Sequence, residues 1–287
     1  MSRVCILTPD PADDSFHGRW REVFERMAAP LLAVSAKVEG RAWTDPGALA
    51  GFDRVLPLMV WGYHRGHAAW LAATRAWEAQ GLPLWNPAPV LRWNADKRYL
   101  ARLGAAGAPA VPTIHVERLD DDALSAARAR FGAERLVVKP AVSASAYRTL
   151  RLAPGDPLEG APEGAAMIQP YLPSVETEGE TSLVYLAGAF SHAIRKVARP
   201  GDFRVQPEWG GVISAVEPAP DERAAAAAVL AAIPEPLLYA RIDLVRDEAG
   251  RPRLMEAELI EPDLYLGFDP EAPARFARAV LGPPPAN

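Results

Sequence analysis

A chain of 287 residues with an apolar share of 49% and a charged share of 23% has the make-up of a soluble globular protein with room for two compact units. Its net charge of −5 argues against a general nucleic-acid binder, which needs a basic surplus. The single cysteine, Cys5, cannot close an intramolecular disulfide. Met1 to Leu7 lacks the apolar core of a signal peptide, and the longest alanine-rich run, Ala224 to Ile233, is too short to span a bilayer, so a cytoplasmic protein without a membrane partner is expected.

In chain order, Val4 to Leu7 reads as a strand, followed by a helix from about Phe16 to Met27 with Trp20, Val23, Phe24 and Met27 on one face. Leu31 to Val34 is expected as a second strand and Val55 to Val60 as a third, so the fold class is α/β. The third strand runs into Tyr63, His64 and Arg65. Open α/β sheets place ligands in such loops, so these three are candidates for a small polar substrate, with ordinary packing and a helix start as the alternative. Asn94 is expected as a helix cap with Lys97 in the first turn. There a cation is disfavoured unless an anion lies close by.

Gly107 to Pro112 marks a change of unit. A strand at Thr113 to Val116 and a helix at Asp121 to Phe131 lead to Arg135-Leu-Val-Val-Lys-Pro140. Lys139 ends that apolar strand, where a lysine is seldom buried without a partner. The small, hydroxyl-bearing run holding Ser143 and Ser145 would let backbone amides approach a phosphate, or is a bland loop. Ala165 to Gln169 is a further strand. Gly179 to Leu186 and Ala189 to Val197 form a hairpin about Ala187-Gly188, with Arg195 and Lys196 pointing to opposite faces. Asp221 is expected to cap an alanine-rich helix ending near Ile233, and a last helix spans Pro273 to Val280.

The densest chemistry lies in Tyr239 to Val245 and Leu254 to Pro262, which read as a hairpin. Alternation puts Glu256 and Glu258 side by side, and pairing brings Asp243 towards them. Unpaired carboxylates on a half-buried face repel one another, and a hard cation such as Mg²⁺ turns that cost into attraction. A solvated, salt-bridged face is the alternative. Glu261 and Asp263 continue the acidic run, either towards a substrate ammonium or towards water.

Together these features suit a magnesium–nucleotide enzyme without a Walker loop or a Gly-x-Gly-x-x-Gly fingerprint. The ordered set Lys97, Val138-Lys139-Pro140, Gln169-Pro170-Tyr171-Leu172, Gly179-Glu180-Thr181-Ser182, Lys196 with Arg204, Asp243 and Glu256-Ala257-Glu258 resembles the ATP-grasp superfamily in its glutathione-synthetase-like branch. Phe190 to Ala193 and Gly201 to Gln206 are similar to small-molecule ligases akin to the cycloserine ring-closing enzyme.

The resemblance implies an ATP-grasp fold with an N-terminal α/β domain at 1–85, a central lid subdomain at 86–170 and a C-terminal subdomain with the metal site at 171–287. It also implies roles: Lys97 and Lys139 on the ATP phosphates, a flap holding Ser143 and Ser145, adenine at Gln169, Pro170, Tyr171 and Leu172, and ribose at Glu180. Lys196 and Arg204 would face the transferred phosphate. Asp243, Glu256 and Glu258 would hold two Mg²⁺ ions, with Mn²⁺ as a substitute, and Arg241 joins Tyr63, His64 and Arg65 as a substrate contact. Relatives usually carry glycines in the flap, and many have Asn where Glu258 stands. The expected activity is ATP-dependent carboxylate–amine ligation on a small amino-acid-like substrate through an acyl phosphate. Intramolecular cyclisation and a non-catalytic nucleotide-binding module are the alternatives, and a homodimer is common in the branch.

Overall fold

The computed structural model describes residues 1–144, 146–199, 201–205 and 210–283, in which three sheets follow one another along the chain. In the first, β1 (Arg3–Thr8) lies between β2 (Lys37–Ala42) and β3 (Arg54–Leu56), all parallel. A parallel strand must be covered on both faces, and β1 is apolar at every position from Val4 to Leu7. Val4 and Ile6 pack on Met27 and Leu31 of α1 (Trp20–Ala33), whereas Cys5 and Leu7 face Trp70 and Trp77 of α2 (His67–Ala79).

Two expected strands differ here. Leu31 to Val34 closes α1 instead, because Met27, Ala28 and Leu31 continue its buried face through Pro30. The second strand is the charged Lys-Val-Glu-Gly-Arg-Ala segment, half exposed along the sheet edge and so without an apolar pattern to read. The third stops at Leu56, since Pro57 has no amide to donate to a ladder.

The chain then crosses through α3 (Ala88–Trp93) and α4 (Tyr99–Ala105) to a four-stranded antiparallel sheet. It comprises β4 (Ile114–Val116), β5 (Leu136–Pro140), β6 (Leu150–Leu152) and β7 (Ala166–Pro170), in the order β4-β7-β5-β6. One face takes Leu124 and Ala127 of α5 (Asp121–Phe131) against Leu136, Val138, Ala166 and Ile168. Asp120 caps that helix by accepting from Ala123 N at 2.9 Å, and Gly132 ends it at φ 65°. The alternate residues Val137, Lys139 and Gln169 point the other way, into a cleft.

After the single turn α6 (Ser174–Thr177) comes a five-stranded antiparallel sheet. It is built from β8 (Glu180–Leu186), β9 (Ala189–Val197), β10 (Val212–Val216), β11 (Tyr239–Arg246) and β12 (Pro252–Glu258), ordered β10-β9-β8-β11-β12. Its faces sort by parity. Leu183, Ile242 and Leu244 meet α3, α4 and α7 (Pro220–Ala231), while Val184 and Leu186 meet Phe276 and Val280 of α8 (Ala272–Leu281) and the N-terminal core.

Helix α7 begins at Pro220 with Ala219 as its cap residue, so Asp221 lies inside the first turn instead of capping it. Glu222 takes over the end by accepting from Ala219 N at 2.8 Å. Asn94 is not a helix cap either. Its side chain donates to Ala257 O at 2.8 Å and accepts from Leu259 N at 3.0 Å, which fixes α3 to the end of β12. Lys97 sits two residues ahead of α4, with its amide donating to Ala141 O at 2.8 Å. No helix among the described residues is long and apolar enough to cross a membrane.

Candidate active site

A cleft of about 620 Å³ opens between the three sheets. Its floor is the β11–β12 hairpin, in the pairing the sequence suggests. Asp243 lies opposite Glu256 and Arg241 opposite Glu258, so four charged side chains share one face. A register shift after Asp243 pairs Leu244 with Leu254 and leaves Met255 as an extra residue. This β-bulge lets Leu254 enter the core at 0% exposure while Met255 and Glu256, though adjacent, both line the cleft.

Three cations meet these carboxylates, and two more stand in the cleft beside them. Lys97 Nζ lies 2.5 Å from Glu256 Oε1. Lys196 is buried on β9 and donates to Asp243 Oδ2 at 3.1 Å and to Glu180. Arg241 grips Asp243 with two bonds of 3.0 and 2.9 Å and also reaches Glu258. Arg204 is held by Asp202 at 3.0 and 2.8 Å, which keeps the Asp202 carboxyl far below its usual range. Lys139 differs from the rest. Its ammonium lies 3.3 Å from Met255 Sδ, and it forms no ion pair among the described residues. Burial lowers its pKa, against the pull of Glu256.

The carboxylates respond in opposite directions. Against the cost of burial, Lys97 and Lys139 hold Glu256 below the ordinary range. Burial pushes Glu258 up to about 7, with Asp243 and Glu256 adding to the shift and Arg241 opposing it. Asp243, also buried, is held low by Arg241 and Lys196. A hard cation suits this donor set, which is all oxygen and destabilised by its own crowding. Among the described residues no three such groups are spaced to hold a metal, because each proposed ligand is drawn to a lysine or arginine of the chain.

Gln169, Pro170, Tyr171 and Leu172 line the cleft at the close of β7. Gln169 donates to Thr113 Oγ1 at 3.0 Å, and its buried Oε1 has no partner among the described residues. Ser143 and Glu180 also face the cleft, whereas Ser145 lies outside the described residues.

The N-terminal wall is built from Phe16, Trp61, Tyr63 and His64. Burial lowers His64 to about 4, and Arg65 and Lys97 push the same way, so the imidazole is neutral. Arg65 is the expected site residue that turns away. It pairs with Asp13, donates to Ser15 Oγ at 2.8 Å and stacks over Phe16 at 5.2 Å, because the loop at Asp13 offers it a carboxylate at the surface. All other described candidates line the one cleft.

Against known proteins, the family described as the N-terminal domain of D-cycloserine synthetase DcsG matches residues 4–86. The cycloserine biosynthesis protein DcsG of Streptomyces lavendulae is 38% identical over 222 residues, covering 68% of this chain and 71% of that protein. The chain belongs to the DcsG family of ATP-grasp ligases. The crystal structure of D-cycloserine synthetase DcsG is similar over 97% of this chain and 98% of that one, with a TM-score of 0.81 at 30% identity. A D-alanine–D-alanine ligase from Bacillus anthracis complexed with ATP shares the fold, at a TM-score of 0.70 and 16% identity over 98% of this chain and 96% of that one. This DcsG-family chain is thus an ATP-using ligase, and the expected fold class and family hold.

Several cleft residues of the family member escape a sequence reading. Tyr265 enters the cleft through a left-handed backbone at φ 46° and lies 5.4 Å from the Arg241 guanidinium. No local pattern announces that turn. Met255 needs the bulge, and Arg19, Glu22 and Arg26 of the α1 region reach the rim only through tertiary packing. Glu261 was visible as part of an acidic run, though its direction was not.

Proposed function

We propose that this DcsG-family ligase joins a carboxylate to an amine on a small amino-acid-like substrate through an acyl phosphate. A substrate carboxylate oxygen attacks the γ-phosphorus of ATP, the bond to the β-phosphate oxygen breaks, and ADP leaves. An amine nitrogen then attacks the acyl carbon, phosphate departs, and the nitrogen loses a proton. Catalysis of such transfers rests on positioning and charge neutralisation. The observation that carries this reading is Lys139, a half-buried ammonium in the cleft that forms no ion pair among the described residues. It suits a phosphate.

In this reading Lys97 and Lys139 hold the phosphates, and Gln169 to Leu172 take the adenine, with the unpartnered Gln169 Oε1 as acceptor. Glu180 takes the ribose, and Lys196 and Arg204 steady the group in transit. Asp243, Glu256 and Glu258 would hold Mg²⁺, which supplies neutralisation of the phosphate charge when bound. Lys97 and Arg241 would then exchange their carboxylate partners for phosphate and substrate. The Ser143 loop would shield the acyl phosphate from water.

A second reading, ring closure within one molecule, is favoured by a specific observation. The match to DcsG includes residues 4–86, which supply the Trp61–His64 wall where the acid would lie. Purified protein with Mg²⁺, ATP and a panel of amino-acid-like acids, with and without a separate amine, tests both. ADP release with a condensed product of two molecules supports ligation, and a product one water lighter than a single acid supports closure. ATP binding without ADP release on any acid would sink both.

A further inference from the structure

Among the described residues, four of the carboxylates that line the cleft have a lysine or arginine against them, and of those that do not (Glu22, Glu261 and Asp263) only Glu261 holds a buried oxygen without a partner. Glu180 and Asp243 have Lys196, Glu256 has Lys97, and Glu258 has Arg241. Glu261 lines the same cleft, yet it forms no ion pair among the described residues, and its Oε2 is fully buried without a hydrogen-bond partner. Its position is not slack. Tyr239 donates from its hydroxyl to Ile260 O at 2.9 Å, and the preceding Leu259 is clamped by Asn86 and Asn94 at 2.8 and 3.0 Å. Burial and the neighbouring Glu258 both raise its carboxyl well above the usual range, with no cation opposing them.

Leaving a buried carboxylate oxygen unpartnered costs free energy that a native site recovers from a ligand. Resting on the proposed function, we infer that Glu261 is the acceptor for the ammonium of the amino-acid substrate. It sets the requirement for a free, positively charged amino group. The same cleft is lined by Tyr63, whose phenol feels Glu261 more strongly than any other charge, so the ammonium lies between an aromatic wall and a carboxylate. Both are favourable neighbours for a cation.

The test is binding in the presence of saturating Mg²⁺ and ADP, comparing D-alanine and D-serine with D-lactate, which lacks the ammonium. Wild-type protein is expected to prefer the amino acids over D-lactate by about 10- to 100-fold, the span of a charge-assisted hydrogen bond. Glu261→Gln removes that preference and leaves ADP affinity unchanged. Glu261→Asp keeps the charge, and so keeps part of the preference; it also serves if the glutamine variant does not fold. Equal binding of D-lactate and the amino acids by wild type, or an undiminished preference in Glu261→Gln, overturns the assignment. Absence of ligation with the preference intact overturns only the proposed reaction. Ligation with a preference indifferent to Glu261 overturns only the subsite.

Discussion

The two walls of the cleft follow opposite electrostatic designs. On the C-terminal hairpin, charge is concentrated and largely balanced in pairs: Lys97 with Glu256, and Arg241 with Asp243 and Glu258. On the N-terminal wall, Phe16, Trp61, Tyr63 and a neutral His64 present rings, and the charges that reach the cleft from that side, Arg19, Glu22 and Arg26, form no ion pairs among the described residues. The first wall suits phosphate and metal, which need many charges held in place before they arrive. The second suits discrimination among small acids, which comes from shape and a few polar contacts. In the proposed function phosphate and metal chemistry belongs to the hairpin side, and the ring wall contributes shape selectivity beside Glu261, so substitutions on the two walls should fail in different ways.

The largest effect is expected at Lys196, which is 4% exposed and stands between Glu180 and Asp243. Lys196→Met strands the buried Glu180 and leaves Asp243 with Arg241 alone, so stability should fall by about 3–5 kcal/mol in denaturant titrations. Turnover should disappear with it. Lys139→Met sharpens the contrast within the same wall, because Lys139 acts on Glu256 only at a distance and forms no ion pair among the described residues. ADP release should drop about 10²–10³-fold, the usual loss for one charge-stabilising donor, with the melting temperature held or raised. A fall in stability equal to that of Lys196→Met would show that Lys139 is a structural cation after all.

Crossing to the other wall, Tyr63→Phe should leave ATP use nearly untouched. The ring packs 5.4 Å from Trp70, so the fold survives the loss of one hydroxyl. KM for the acid should rise about 3- to 10-fold, the worth of one neutral hydrogen bond, with KM for ATP constant. If both constants rise together, the division of labour between the walls is wrong.

The difference between the walls also decides what was legible beforehand. The hairpin chemistry could be read because alternation and pairing act locally: Asp243, Glu256 and Glu258 meet through register alone. Strands β1, β5, β8 and β11 could be read because burial demands apolar runs. Strand β2 could not, since an edge strand tolerates Lys37, Glu39 and Arg41. Asn94 precedes a helix in the manner of a cap, and only the arrival of β12 some 160 residues later gives its amide better partners. Arg65 and His64 are neighbours in sequence with opposite destinations, one paired at the surface with Asp13 and one in the cleft. That choice is made by the loop at residues 13–16, which carries no motif.

A last contrast separates the walls by pH. His64 is lowered from 6.5 to about 4 in the folded protein, chiefly by burial. A depressed histidine means that the unfolded chain binds the extra proton first. Its contribution to stability is therefore complete above pH 6.5 and is lost as pH falls through 4. His64→Asn stays neutral throughout, so the difference between wild type and variant should be flat above pH 6.5. On the acid side wild type should lose ground with a slope below about 1.4 kcal/mol per pH unit, levelling off near pH 4. Glu258, pushed up to about 7, acts in the opposite sense: its contribution is present below 4.5 and lost as pH rises through 7. It is common to both proteins and cancels in the difference. A difference curve flat across the whole range would mean that His64 meets solvent, and that the aromatic wall is wetter than its packing implies.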